Sequence, residues 1–454
     1  MKQERSSFSN RIGFVLAAAG SAVGLGNIWR FPYLAAKYGG GIFLLVYLIL
    51  AVTFGFTLMI TEISMGRKTG LSCIGAYETL SKKFKFLGWL ASLVPIIITP
   101  YYCVIGGWVI KYFVEFIRGN AAATVADGYF NNFISVAEGG LLGSPVLWFV
   151  IYVLLTAVVV LGGVQKGIEK ASRFMMPLLV VLSVVVAVFS LTLPGAMEGL
   201  KYYLLPDFKD FSTTTVLAAM GQLFYSMSLA MGIMITYGSY MKKEDSLEKS
   251  VTQIEIFDTA IAFIAGLMII PAVFAFSGGA DLNAGPGLMF VTLPKVFNAM
   301  PGGQVIGVAF FLLVFFAALT SSISLMETVV SIFRDKLHWG RKTATIFVMV
   351  LVLIVGILSC LGYGPWASVQ ILGMAFLDFF DFISNSVLMP IVALLTCILI
   401  GHVVGTKVIS DEVELSGAFK RKKLFEIIIR WIAPICLVVI LVGEILKIMG
   451  IITI

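Results

Sequence analysis

The sequence predicts an all-α integral membrane protein, and three observations carry that prediction. Hydrophobic residues make up 59% of the 454 residues and charged residues only 13%. The mean hydropathy is +1.00. Continuous apolar runs of roughly 20 residues, long enough to cross a bilayer as a helix, recur from end to end. A transmembrane barrel would alternate apolar and polar residues instead.

The net charge of +7 does not point to nucleic acid, because the basic residues gather in alternate loops. Arg67, Lys68, Lys82, Lys83 and Lys85 share one, and Lys166, Lys170 and Arg173 the next on that side. Lys242, Lys243 and Lys249 follow, then Arg334, Lys336, Arg341 and Lys342, then Lys407 with residues 420–423. The intervening stretch Gly119–Ser144 has no Lys or Arg. Cytoplasmic loops carry this excess. The N-terminus, with Lys2, Arg5 and Arg11, is therefore expected in the cytoplasm. No small-residue cleavage site follows a compact apolar core, so a cleaved signal peptide is not expected. Cys73, Cys103, Cys360, Cys397 and Cys436 lack metal or disulfide spacing and read as small apolar residues.

Eleven apolar segments are expected, at about 11–37, 41–66, 87–117, 145–163, 168–191, 213–240, 250–277, 304–335, 341–361, 366–400 and 425–449. An odd number puts Ile451–Ile454 outside. The longest outer connections are about 118–144, 192–212 and 278–303, the last rich in turn formers such as Asn283–Pro286.

Segment 1 contains Gly20-Ser-Ala-Val-Gly-Leu-Gly-Asn-Ile-Trp-Arg-Phe-Pro32. Each glycine costs about 1 kcal/mol against alanine inside a helix. A charge such as Arg30 near the bilayer centre costs about 2.5–3.5 kcal/mol on insertion scales. Backbone that breaks at membrane depth survives only against protein or a water-filled cavity. The run therefore predicts a broken helix at a binding site. Segment 2 carries an acid, Glu62, and segment 3 a Tyr101-Tyr102 pair. Segment 5 carries Gly167 and Pro177, which by themselves read as a helix start and a kink.

Segment 6 reads Gly221-Gln-Leu-Phe-Tyr-Ser-Met-Ser-Leu-Ala-Met-Gly232, and its mid-span Ser226, Ser228 and Gly232 predict a second break. Interrupted helices at matching places in two halves point to a transporter's midplane site. Segment 7 places Asp258 over two turns inside the membrane. Segment 8 holds Thr320-Ser321-Ser322 and Glu327, and segment 10 holds Asp381. Intramembrane acids face the bundle interior and are functional by default. His338 and His402 read as interfacial. No nucleophile–base pair, phosphate loop or metal cluster appears, and Gly24-Leu-Gly26 has no strand before it.

The run from Asn10 to Tyr33, leading to Tyr38-Gly-Gly-Gly41, closely resembles the first span of neurotransmitter:sodium symporters. Gln222–Ser228 and Thr320–Ser322 resemble the same family at the right places, and the resemblance runs through segment 11. A twelfth span, present in many eukaryotic members, has no counterpart, so the chain looks like the bacterial eleven-span amino-acid members. The resemblance implies the leucine-transporter-like fold: a single domain, 1–454, of two inverted repeats of five spans, about 11–191 and 213–400, with segments 1 and 6 broken and an extra helix at about 425–449.

It also implies a site. One sodium ion would be held by carbonyls of Gly20, Val23 and Ala317 and hydroxyls of Thr320 and Ser321. Interhelical hydrogen bonding is the competing reading of that hydroxyl cluster. A second sodium ion would meet the Ala22 carbonyl, Asn27, Ser226 and Asp258. Many relatives carry Asn where Asp258 stands and balance charge with chloride. Here a fixed carboxylate replaces it, and Ala262 one turn on has no hydroxyl, so chloride-independent transport is expected.

Amine-carrying relatives place an acid where Gly24 stands, so an α-amino acid bringing its own carboxylate is expected. Leu25 and Gly26 amides and the Tyr102 hydroxyl would meet the carboxylate, and carbonyls of Ala22, Tyr225 and Ser226 the ammonium. Ile98, Tyr102, Tyr225, Ser228, Met231, Ser321, Ser324 and Leu325 would line a pocket for hydrophobic, including aromatic, side chains. Arg30 with Asp381 would form the outer gate, and Arg5 with Asp335 the inner one, where Phe8 replaces the family's usual tryptophan. Glu62 matches a glutamate that bonds the second break. Gly167 and Pro177 resemble a family Gly-x9-Pro spacing, which offers a second reading of them as a place where the inner end of that helix unwinds.

The expected function is thus sodium-coupled import of hydrophobic L-amino acids by alternating access, with no enzyme activity and no organic cofactor. The partners are a small amino acid and the lipid bilayer of a bacterial plasma membrane. The chain would be a monomer or weak homodimer. A proton-coupled carrier using Asp258, Glu62 or Glu327, or an amino-acid sensor on the same scaffold, are the alternatives.

Overall fold

A computed structural model describes residues 6–137, 140–280 and 287–448. Among them there is no β-strand, only isolated bridges Gly40–Pro206 and Ile371–Met374. Among the described residues, eight helices are long and apolar enough to cross a membrane, and nine if the bent pair Arg11–Ala22 and Gly26–Lys37 counts as one. Pro145–Leu161 is shorter, and segment 6 is two helices, Thr213–Ser226 and Ile233–Gly238. The rest of the apolar segments form Gly41–Thr69, Lys82–Ile117, Val164–Leu191, Leu247–Ser277, Gly303–Leu337, Arg341–Leu361, Phe376–Val403 and Lys422–Glu444.

Segment 10 begins ten residues later than the expected start at 366. Leu372 and Gly373 have φ of 52° and 75°, and such left-handed residues cannot continue a helix. The connections expected on the outer side are partly helical, at Ala196–Leu204 and Leu288–Ala299, and a short helix, Lys407–Glu414, lies between segments 10 and 11. Residues 283–286 and 451–454 lie outside the described residues.

Buried apolar side chains from every segment form one core. Large hydrophobic residues remain exposed on the periphery, among them Val158, Phe174, Ile354 and Ile435. In water these would be a liability; a bilayer covers them. Segments 3 and 8 are the longest helices and pack along each other through the centre. Segments 1 and 6 break beside them.

Candidate functional site

Segment 1 loses helical geometry after Ala22, where Val23 is extended, and resumes at Gly26 with a bend of 52°. In segment 6, Ser228 and Ala230 adopt φ of 53° and 58° before Gly232 at 71°. Each non-glycine residue in this region costs about 1–3 kcal/mol and persists only where its surroundings hold it. Here the two breaks hold each other. Ser228 Oγ donates to the Ser21 carbonyl at 3.0 Å, and Gln222 Nε2 donates to the Gly26 carbonyl at 2.8 Å. The freed Ala230 amide donates to Glu62 Oε1 at 2.6 Å, which gives the segment 2 acid its place.

A cavity of about 20 Å³ lies between the breaks. Ala22, Gly24, Leu25, Gly26, Ile98, Tyr102, Tyr225, Ser228, Met231, Ser321 and Leu325 line it, as do Ser21 and Ile233, which the sequence reading missed. The space admits about one water molecule, so a larger guest requires the walls to part. The Leu25 amide donates to the Tyr102 hydroxyl across its edge at 3.3 Å. A Cβ on Gly24 would come within 2.6 Å of Ser321 Oγ and 3.0 Å of the Tyr102 hydroxyl, so any larger residue there would have to displace them.

One expected lining residue, Ser324, lies outside the cavity wall. Ser324 Oγ is engaged away from the cavity, with the Tyr237 hydroxyl at 2.8 Å and the Thr320 carbonyl at 3.0 Å. Ser226 stands beside Asp258, the residue with which it is expected to share an ion, and its hydroxyl donates to both carboxylate oxygens, at 2.8 and 3.1 Å.

Asp258 is the hub of a buried polar cluster. Asn27 Nδ2 donates to its Oδ1 at 2.7 Å and to its carbonyl at 3.1 Å, while Asn27 Oδ1 accepts from the Gly24 amide at 3.1 Å. The Tyr47 hydroxyl, 3.3 Å from Oδ2 and 3.2 Å from Ser226 Oγ, completes it. Tyr47 sits in the uniformly apolar run Gly41–Leu50, and no local signal marks it. On the other side of the cavity, Ser321 Oγ reaches the carbonyls of Gly20, Ser21 and Val23 at 3.5, 3.0 and 3.5 Å. Thr320 Oγ1 lies 3.1 Å from the Ala317 carbonyl. Among the described residues, no group of three His, Cys, Asp or Glu could hold a metal ion. What gathers instead is neutral oxygen, plus one carboxylate.

The family model of the sodium:neurotransmitter symporter family matches residues 5–132 and 120–452. The chain belongs to that family. It is 35% identical to the sodium-dependent transporter YhdH of Bacillus subtilis over 97% of both chains. It is 34% identical to a sodium-dependent transporter of Methanocaldococcus jannaschii over 87% of this chain and 81% of that one. The crystal structure of MhsT in complex with L-phenylalanine superposes with a TM-score of 0.87 at 38% identity, covering 97% of this chain and 99% of that one. Members of the family are sodium-dependent membrane transporters rather than enzymes.

In this symporter the outer pair is apart. Arg30 and Asp381 line one cavity of about 210 Å³ but form no ion pair with each other. Arg30 lies over the Tyr225 ring at 5.1 Å, and Asp381 accepts from Asn385 at 2.6 Å and Tyr101 at 3.1 Å. At the other end Arg5 lies outside the described residues, and Asp335 accepts from the Ser72 amide at 2.7 Å. Phe8 is buried edge-on against Phe14, Tyr237 and Tyr240, and its amide donates to the Tyr240 carbonyl at 3.1 Å. Glu327, buried in segment 8, accepts from the Tyr240 hydroxyl at 2.8 Å and pairs with Arg341. Gly167 is required by packing, because a Cβ there would meet the Val159 carbonyl at 2.0 Å.

Proposed function

We propose that this symporter imports hydrophobic L-amino acids with two sodium ions, by alternating access and without chloride. The observation that carries the reading is the cavity between the two breaks, apolar on most of its wall and bare at Gly24. The Leu25 amide and the Tyr102 hydroxyl converge where a carboxylate could displace their mutual bond. A carboxylate gains several charge-assisted contacts in such a place. The solved MhsT complex holds L-phenylalanine, which favours apolar side chains, aromatic ones included.

Asn27, Ser226, Asp258 and the Ala22 carbonyl would hold one sodium ion. Gly20, Val23, Ala317, Thr320 and Ser321 would hold the other, with Tyr47 orienting Asp258. A hard cation prefers such oxygen ligands. Bound ion and amino acid stabilise each other's site, which couples them. Asp258 supplies the fixed negative charge that makes chloride unnecessary. Arg30 with Asp381, and Phe8 with the N-terminal segment and the Arg5–Asp335 pair, would close the two faces in turn. Eleven spans in two inverted repeats, 11–191 and 213–400, with a further helix at 425–449, give the moving parts: segments 1, 2, 6 and 7 rock against the rest. The N-terminus would face the cytoplasm of a bacterial cell, with the C-terminus outside, in a monomer or weak homodimer.

Reconstituted vesicles test this. An inward sodium gradient should concentrate labelled phenylalanine, uptake should persist when gluconate replaces chloride, and leucine or tyrosine should compete where lysine or glutamate does not. Binding without accumulation would indicate a sensor. Uptake driven by a pH gradient without sodium would indicate a proton-coupled carrier. Either outcome overturns the proposal.

A further inference from the structure

A second large cavity, of about 600 Å³, opens on the face of the basic loops, between the start of segment 7 and the connection from segment 10 to segment 11. Arg11, Glu248, Lys249, Lys420 and Arg421 bring its charges. These charges are not equally committed. The Glu248 carboxylate accepts the backbone amides of Lys420 and Arg421, at 2.9 and 3.0 Å, and so is turned to the connecting loop. The Arg421 guanidinium pairs with Glu255 at 3.1 Å, bonds Thr252 at 2.8 Å and lies 3.9 Å over the Phe56 ring. Among the described residues, the Arg11 side chain donates to a neutral group, Gln253 Oε1, at 2.5 Å, and the Asp245 carboxylate acts on it electrostatically without a salt bridge. Lys249 and Lys420 are exposed and enter no ion pair among the described residues. Three cations thus face one concavity, and none of them enters a salt bridge among the described residues, although the Asp245 carboxylate acts on Arg11 from nearby.

The adjoining helix faces are apolar and open. Ile12, next to Arg11, and Ile256, one turn beyond Gln253, are each 60% exposed. Val52, whose carbonyl accepts from Arg421 at 3.4 Å, is 49% exposed. A cationic cavity whose membrane side continues into uncovered isoleucine and valine has the two-part character of a phospholipid. A small soluble anion would use only the first part. Basic cavities between helices at this level of a membrane protein suit anionic head groups.

We propose that this cavity binds the phosphodiester head group of an anionic phospholipid, held by Arg11, Lys249 and Lys420, with acyl chains along Ile12 and Ile256. Arg11 opens segment 1 and Lys249 lies in segment 7, whereas Lys420 belongs to the loop before segment 11. A bound lipid therefore ties segments 1 and 7 to that loop and favours the conformation in which they stand together.

The test uses the full chain purified in detergent, with native mass spectrometry and thermal unfolding as readouts. Phosphatidylglycerol should stay bound and raise the melting temperature by several degrees, because a ligand of the folded state stabilises it. Phosphatidylcholine with the same chains, and inorganic phosphate, should do neither. Replacing Arg11, Lys249 and Lys420 together by Gln should weaken phosphatidylglycerol retention on the order of a hundredfold, about fivefold per cation. K201Q, at an exposed lysine in Ala196–Leu204, should leave it unchanged. Stabilisation by phosphate equal to that by phosphatidylglycerol would overturn the lipid reading in favour of a free anion. Equal retention of phosphatidylcholine, or full retention by the triple variant, would overturn the site. Should the triple variant fail to fold, K420Q alone, at an exposed side chain, carries the same comparison.

Discussion

On the face of the basic loops, Phe8 is buried among Phe14, Tyr237 and Tyr240, and Ser9 and Arg173 both bond Glu169. Gln165 and Lys242 add bonds to the carbonyls of Ser7 and Ser9, at 2.8 and 2.9 Å. On the opposite face, Arg30 and Asp381 stand across a cavity of about 210 Å³ and bond other groups instead. One end is packed with aromatic side chains and the other keeps its two opposite charges apart. The difference teaches that the two proposed gates would use different physics. Buried aromatic area is non-directional and is lost all at once when the segment lifts. A charge pair can wait, each member satisfied by a neutral neighbour, until closure brings the two together.

The comparison breaks most easily at Phe8. Removing a buried Phe costs roughly 3–5 kcal/mol, and here the cost falls on the closed form of the basic face. F8A should raise labelling of Cys73 by on the order of a hundredfold or more in a background without the other four cysteines. Cys73 is buried beside the Gly232 carbonyl, so it reports opening on that side. Unchanged labelling would mean that the aromatic cluster does not close this face.

D381N tests the opposite face. It should slow uptake about tenfold while equilibrium amino-acid binding changes little, because the charge acts only in one state. R30Q should do the same, and the double variant should be no worse than either. If binding and uptake fall together, the pair belongs to the site rather than to its closure.

Y47F probes the polar cluster between the faces. It removes one hydroxyl shared by Ser226 and Asp258, worth about 1 kcal/mol, so sodium should bind about fivefold more weakly. An unchanged sodium dependence would separate Asp258 from the ion. The smallest effect belongs to R173A. Its partner Glu169 is buried, but Arg173 is 45% exposed, and such pairs contribute about 0–1 kcal/mol. Cys73 labelling should rise less than about threefold, against the large effect of F8A. A larger response would make charge, not packing, the seal of the basic face.

The sequence by itself determined the class of protein, the positions of most helices and the two breaks. Bilayer length, glycine cost and the placement of basic loops are local quantities, readable wherever they fall. It also marked Gly24, Asn27, Ser226 and Asp258, because polar or bare residues stand out against apolar runs. Only the tertiary structure decided which of these meet. Tyr47 looked like any aromatic residue of an apolar helix until folding set its hydroxyl beside Asp258. Ser324 looked like its neighbour Ser321 until Tyr237 drew its hydroxyl away from the cavity. Arg30 and Asp381 carry opposite charges and line one cavity, yet the structure holds them apart on Tyr225 and Asn385. A hydroxyl or a charge announces that it needs a partner, but the choice among several within reach depends on distances between helices far apart in the chain, and no local pattern contains those.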